Sequence, residues 1–156
     1  MLEAHVHTQL KNLLRVASCP WPHNLTLSRL VARSLRRQDT SLIQLDLGCQ
    51  DFWWIGVLIP LCLQPLNVVL VLSARQRRRL LRIELPRLLQ EDFQVVFSEG
   101  SEPPPDGQIW LLDHMGLINA FSKGFLISKY VIVPEAEFFS DRLRDAMALE
   151  INPEDW

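Results

Sequence analysis

Val6, Leu10, Leu13, Leu14 and Ala17 recur at three- and four-residue spacing, which predicts an amphipathic helix over residues 3–17. A stiff Cys-Pro-Trp-Pro-His loop follows at 19–23. Thr26 is placed to cap a second helix whose inner stripe is Leu27, Leu30, Val31, Ser34 and Leu35. Arg29, Arg33, Arg36 and Arg37 lie off that stripe and read as a solvated helix face.

The period then changes. Residues 41–45 (SLIQL), 67–72, 93–97, 109–112 and 130–133 read as strands. Between them, 52–63 reads as an almost wholly apolar helix and 74–89 as a helix with Leu81, Leu85, Leu88 and Leu89 inward and a kink at Pro86. Residues 114–123 read as a short helix and 135–148 as a helix with Ala136, Phe139, Leu143 and Met147 on one side. Strands and helices that alternate in this way, with near-continuous apolar strands, predict a mostly parallel sheet of about five strands with helices on both faces. Residues 1–38 form a helical lead and 39–156 the α/β unit. Ligands in such a sheet sit beyond the carboxyl ends of the strands, so the loops at 46–51, 73–75 and 134–137 are the ones to inspect.

From Phe52 to Leu72 no residue is charged, and Arg75, Arg77, Arg78 and Arg79 follow. Length and flank alone would suit a membrane span. Pro60, Gln64, Pro65 and Asn67 break the stretch into a short helix, a turn and a buried strand, so a span is disfavoured and a membrane-tethered protein remains only an alternative.

The 156 residues are 48% hydrophobic and 22% charged, enough for a domain with a buried core and unlike a disordered tail, a collagen-like repeat or a disulfide mini-protein. The net charge of −2 conceals a split: residues 1–90 carry 12 Lys/Arg against 5 Asp/Glu, and residues 91–156 carry 4 against 13. The first part is therefore suited to an anionic partner and the second is not. Cys19, Cys49 and Cys62 are widely spaced and no two form a C-x-x-C pair, which argues against a disulfide framework and for a reducing, cytoplasmic setting. The opening residues lack the apolar core of a signal peptide. The histidines, His5, His7, His23 and His114, are scattered, and no metal site is expected.

Three segments bear on chemistry. The loop Asp46-Leu47-Gly48-Cys49-Gln50-Asp51 stands where a phosphate-binding loop stands in α/β nucleotidases. Such a loop needs a Lys for the terminal phosphates and a Ser or Thr hydroxyl for magnesium, and neither Lys, Ser nor Thr occurs between Leu42 and Ser73. Gly48, Cys49, Gln50 and Asp51 thus form a degenerate nucleotide loop at most, with Trp53 and Trp54 packing behind it as core or lid. The run Tyr130-Val131-Ile132-Val133-Pro134-Glu135-Ala136-Glu137 ends an apolar strand on carboxylates, where nucleotide-hydrolysing motors place a magnesium-binding Asp and a water-polarising Glu. Pro134 has no ligand atom, which leaves Glu135 as the one candidate catalytic residue, or simply as a carboxylate favoured at a helix start. Arg75, Arg77, Arg78, Arg79 and Arg82 are candidate nucleic-acid contacts, and would give salt-dependent binding without base reading.

The order of these pieces is familiar. Trp21-Pro22-His23-Asn24-Leu25-Thr26, then Arg29 to Leu35, then Ser41-Leu42-Ile43-Gln44 resembles the start of DinG-like superfamily 2 DNA helicases of cyanobacterial type. VVLVLSARQRRRLLRIELPRL resembles that family's second strand and nucleic-acid-contacting segment, and VIVPEAEFF resembles its DEAH-box line with P-E-A-E in place of D-E-A-H. The likeness runs from about residue 5 to 156 and covers only the first RecA-like motor domain.

The resemblance implies a RecA-like three-layer fold, with ATP and magnesium as family cofactors, DNA as a partner and a second motor domain to complete the ATP site. In this chain Glu135 matches the catalytic Glu, while Pro134 stands for the metal-binding Asp and Glu137 for the His. The expectation is a helicase-like half that does not turn over ATP alone and acts in nucleic-acid binding or scaffolding. The alternative is a protein–protein interaction domain docking through Trp53, Trp54 and residues 51–63 with no nucleic-acid binding.

Overall fold

The structure is a computed structural model and describes residues 2–16, 21–46, 49–65 and 67–148. Helix α1 (Leu2–Val16) buries Val6 and Leu10 as the spacing predicts; the side chains of Leu13 and Leu14, and Ala17, lie outside the described residues. Helix α2 (Asn24–Arg37) begins before Thr26, which is exposed in its first turn and caps nothing; His23 is the capping position. Asn24 is buried and tied sideways: its Oδ1 accepts the Gly56 N–H at 3.0 Å. The expected stripe of Leu27, Val31 and Leu35 is buried and extended by Ser28 and Ala32, whereas Leu30 is largely exposed.

Helix α3 (Trp54–Leu63) buries nine of its ten residues. It can approach α2 closely because residue 56 is glycine. A Cβ there would stand 2.9 Å from both Asn24 Oδ1 and Leu27 Cδ2, inside van der Waals contact. The Ser28 hydroxyl donates to the Gly56 carbonyl at 2.6 Å, so two polar bonds fix how the helices are rotated against each other.

Residues 41–45 are not a strand. Their alternation survives, with Ile43 and Leu45 packed on the core and Leu42 85% exposed, but no ladder forms. Alternation selects which side of a segment faces the core; a strand also has to pair with a neighbour. Here β1 (Val68–Val71) already has both neighbours.

Among the described residues the sheet has four strands, not about five, in the order β2-β3-β1-β4, with β2 at Phe97–Glu99, β3 at Ile109–Leu112 and β4 at Tyr130–Ile132. All pairs are parallel, and Val69 stands opposite both Trp110 and Val131. The strand predicted at 93–97 lies later: Phe93 and Val95 are buried in extended chain, and pairing begins where the Val96 carbonyl accepts the Ile109 N–H at 2.9 Å.

The two-residue period of β1 divides the core. Val68, Leu70 and Leu72 join α1, α2 and α3 together with Leu80 and Leu88. Val69 and Val71 join Trp110, Leu112, Leu117 and Ala120, with Phe139 and Leu143 packed on the outside. Helices therefore cover both faces, with α6 (His114–Ser122) and α7 (Phe139–Met147) on the second. Ala136 and Met147 are exposed, contrary to the expected α7 stripe.

After β1 the chain forms α4 (Ala74–Arg79), a π-helical turn (Leu80–Glu84) and α5 (Leu85–Gln90). Ser73 opens α4 with a capping box: its hydroxyl accepts the Gln76 N–H, and Gln76 Oε1 accepts the Ser73 N–H. Pro86 has no N–H for the helical ladder, and the widened turn before it absorbs the mismatch. The widening moves the buried side to Leu80, Glu84 and Leu88, leaving Leu81 and Leu85 half-buried and Leu89 exposed rather than inward. The uncharged stretch is split between α3 and β1, and no helix among the described residues is long and apolar enough to cross a membrane.

Candidate functional site

β1 and β3 are neighbours, yet their following helices leave to opposite faces: the chain after β1 packs Leu80 with α3, and α6 packs on the other side. A crevice of this kind, at the carboxyl ends of parallel strands, is where α/β sheets hold ligands. The residues brought to this edge are Ser73 and the first turn of α4, Glu99 at the end of β2, Asp113 after β3, and Pro134-Glu135 after β4.

Arginines of the chain itself meet these carboxylates. Arg77 donates to Glu99, which holds the Glu99 carboxyl below its usual range; that bond first, and the nearby Asp113 charge further, keep Arg77 charged. Arg142 Nη2 donates to Glu135 Oε2 at 2.5 Å, and Arg75 lies 3.7 Å from the other oxygen. Glu135 has a left-handed backbone (φ 55°), unusual for a residue with a Cβ, and its two guanidinium partners hold the side chain there. Asp113 caps α6, its Oδ1 accepting the Gly116 N–H at 2.6 Å. Behind it His114 is buried against Phe139; burial, then the Arg142 charge, push its pKa below the ordinary value against the pull of Asp113.

The predicted nucleotide loop is elsewhere. Since 41–45 is not in the sheet, 46–51 does not extend a strand end. Gly48 lies outside the described residues. The Cys49 N–H donates to the Asp46 carbonyl at 3.2 Å and the Phe52 N–H to the Cys49 carbonyl at 2.8 Å, so these amides serve the loop's own turn. Gln50 is exposed with φ 42°, and Asp51 Oδ2 accepts from Arg79 Nη1 at 3.1 Å. Asp51, Arg75, Gln76, Arg79 and Ile83 line a shallow pocket, which is how the loop and the basic segment come together.

Arg79 also donates through Nε to buried Glu84 at 3.0 Å. Of the five candidate nucleic-acid arginines, Arg75, Arg77 and Arg79 are thus in ion pairs, while Arg78 and Arg82 are exposed. Trp53 and Trp54 are 9% and 1% exposed and stacked 4.3 Å apart, so they belong to the core and present no docking surface. Asp113 belongs to no motif, but the apolar run 109–112 that ends on it marks it, with His114 next to it, as a strand-end position.

A nucleotide with magnesium does not fit this arrangement. Pro134 supplies no side-chain oxygen, Glu135 is taken by two guanidiniums, and the Cys49 and Phe52 amides are used locally. Among the described residues no group of three or more His, Cys, Asp or Glu side chains is placed to hold a metal ion. No protein-family model, no curated protein and no solved structure matches the chain. Fold and edge define an α/β protein with a parallel sheet, four-stranded among the described residues, whose carboxyl-end Glu99 and Glu135 are paired with arginines of the same chain.

Proposed function

We propose that this chain is a RecA-like, helicase-related domain that does not turn over ATP by itself and serves as the nucleic-acid-binding or scaffolding half of a larger assembly. The order of its DinG-like segments supports the family reading, and the parallel sheet covered on both faces is compatible with it. The observation that carries the non-catalytic part is Glu135: the carboxylate at the position of the motif's catalytic Glu is engaged by Arg142 and Arg75, and the residue before it has no side-chain ligand atom. A water-polarising carboxylate needs a free oxygen facing substrate, and both oxygens here face cations.

DNA contact is proposed through the phosphate backbone, with Arg78 and Arg82 facing solvent and Arg75 and Arg77 in exposed pairs that a phosphate can exchange. ATP hydrolysis measured with and without single-stranded DNA tests the reading. No turnover is expected; turnover abolished by Glu135→Gln would overturn the non-catalytic half. Absence of oligonucleotide binding at low salt would overturn the nucleic-acid half.

A further inference from the structure

Helix α2 bears a row of arginines that the proposed contact segment does not include. Arg29, Arg33 and Arg37 recur every four residues and all three are exposed. Successive members stand about 6 Å apart along the axis, a line of about 12 Å. Unlike Arg75, Arg77 and Arg79, none of the three pairs with a carboxylate among the described residues. The helix contains no Asp or Glu.

The row is also fixed in direction. Asn24 and Ser28 are hydrogen-bonded to the Gly56 backbone, and Leu27, Val31 and Leu35 are buried, so α2 cannot roll and the arginines must face out. A membrane surface would require an apolar face next to the charges, but that face is already packed in the core. An acidic protein partner would require a buried apolar anchor, and Leu30 is the one large apolar side chain exposed on the helix. A rigid row of unpaired guanidiniums suits repeated phosphates, each gripped by a planar fork.

We infer that the Arg29–Arg33–Arg37 face of α2 is a binding surface for the phosphate backbone of nucleic acid. The surface is separate from the 75–82 segment, and its unpaired state makes it the stronger contact. The inference rests on the nucleic-acid part of the proposed function.

Fluorescence anisotropy with a labelled thymidine oligonucleotide and a labelled mixed-sequence duplex, titrated from 20 to 200 mM KCl, tests it. The three phosphate contacts of α2 should contribute about −2 to the slope of log K against log salt on the single strand and about −2.7 on the duplex. The two arms separate the two sources of phosphate. The R29A/R33A/R37A variant should remove that contribution and weaken binding at least tenfold at 50 mM KCl, with an unchanged thermal melt. R78A/R82A should change either quantity less. Binding lost in R78A/R82A but kept in the α2 variant would overturn the α2 assignment and leave the nucleic-acid reading intact. No binding by the wild-type chain at 20 mM KCl, or binding to poly-glutamate in place of both oligonucleotides, would overturn both.

Discussion

Arg79 donates through Nε to Glu84 Oε1 at 3.0 Å, and Glu84 is only 3% exposed. The same guanidinium reaches Asp51 through Nη1 at 3.1 Å, so one arginine bridges the loop before α3 and the π-helical turn. A basic residue that reads as a nucleic-acid contact in sequence is thus a structural tie.

Removing the tie strands a buried carboxylate. Arg79→Ala should lower stability by about 2 kcal/mol, less than for a fully buried broken pair because Arg79 is part-exposed and Arg87 also acts on Glu84. Glu84→Gln keeps the acceptor oxygen and should cost less than about 1 kcal/mol. Urea unfolding of the two variants checks the order; equal losses would show that the charge pair is not what matters.

Stability should respond to pH in two opposite ways. Burial raises the Glu84 carboxyl, against Arg79 and Arg87, so the folded state holds its proton more tightly than the unfolded one. That contribution is complete below the unfolded value of about 4.3 and is lost as pH rises through the folded value. His114 is depressed, chiefly by burial and then by Arg142, so the unfolded state binds its proton more tightly. Its contribution is complete above the unfolded value of about 6.5 and is lost as pH falls through the folded value. Unfolding midpoints from pH 4 to 8 should show Glu84→Gln flattening the first trend and His114→Phe the second; an unaltered profile in either variant refutes its assignment.

Gly56 permits the approach of α3 to α2. Gly56→Ala places a methyl group 2.9 Å from Asn24 Oδ1 and Leu27 Cδ2, and overpacking of this kind costs about 1–3 kcal/mol. A thermal melt should fall by several degrees. Ala at neighbouring Val57 leaves a cavity rather than a clash, and pairing it with Asn24→Ala should not relieve its loss, whereas Asn24→Ala should partly relieve that of Gly56→Ala.

Cys62 is buried, and desolvation pushes its thiol up to about 12. Cys49 is raised as well, by burial and then by Asp46. At pH 8 in the native protein, Cys62 should alkylate about a thousandfold more slowly than an exposed thiol and at normal rate in urea. Peptide mapping after iodoacetamide treatment reads this directly; rapid native labelling of Cys62 would contradict its packing.

Local pattern determined much of the fold. Helices α1 and α3 and strands β1, β3 and β4 lie where periodicity puts them, because a run such as VVLV or IWLL can satisfy its apolar surface only inside a sheet covered on both faces. The charge split and the two arginine rows were likewise legible, since charge is a property of residues and not of their contacts. Tertiary structure decided the rest. Residues 41–45 carry a strand's alternation but find no free edge beside β1, which pairs with β3 and β4. Arg75, Arg77 and Arg79 meet Glu135, Glu99, Glu84 and Asp51, partners between 5 and 60 positions away, whereas Arg29, Arg33 and Arg37 meet no carboxylate among the described residues. Sequence fixes which side chains carry charge; only the packing of distant elements determines which charges are cancelled, because ion pairing depends on distance in space and not along the chain.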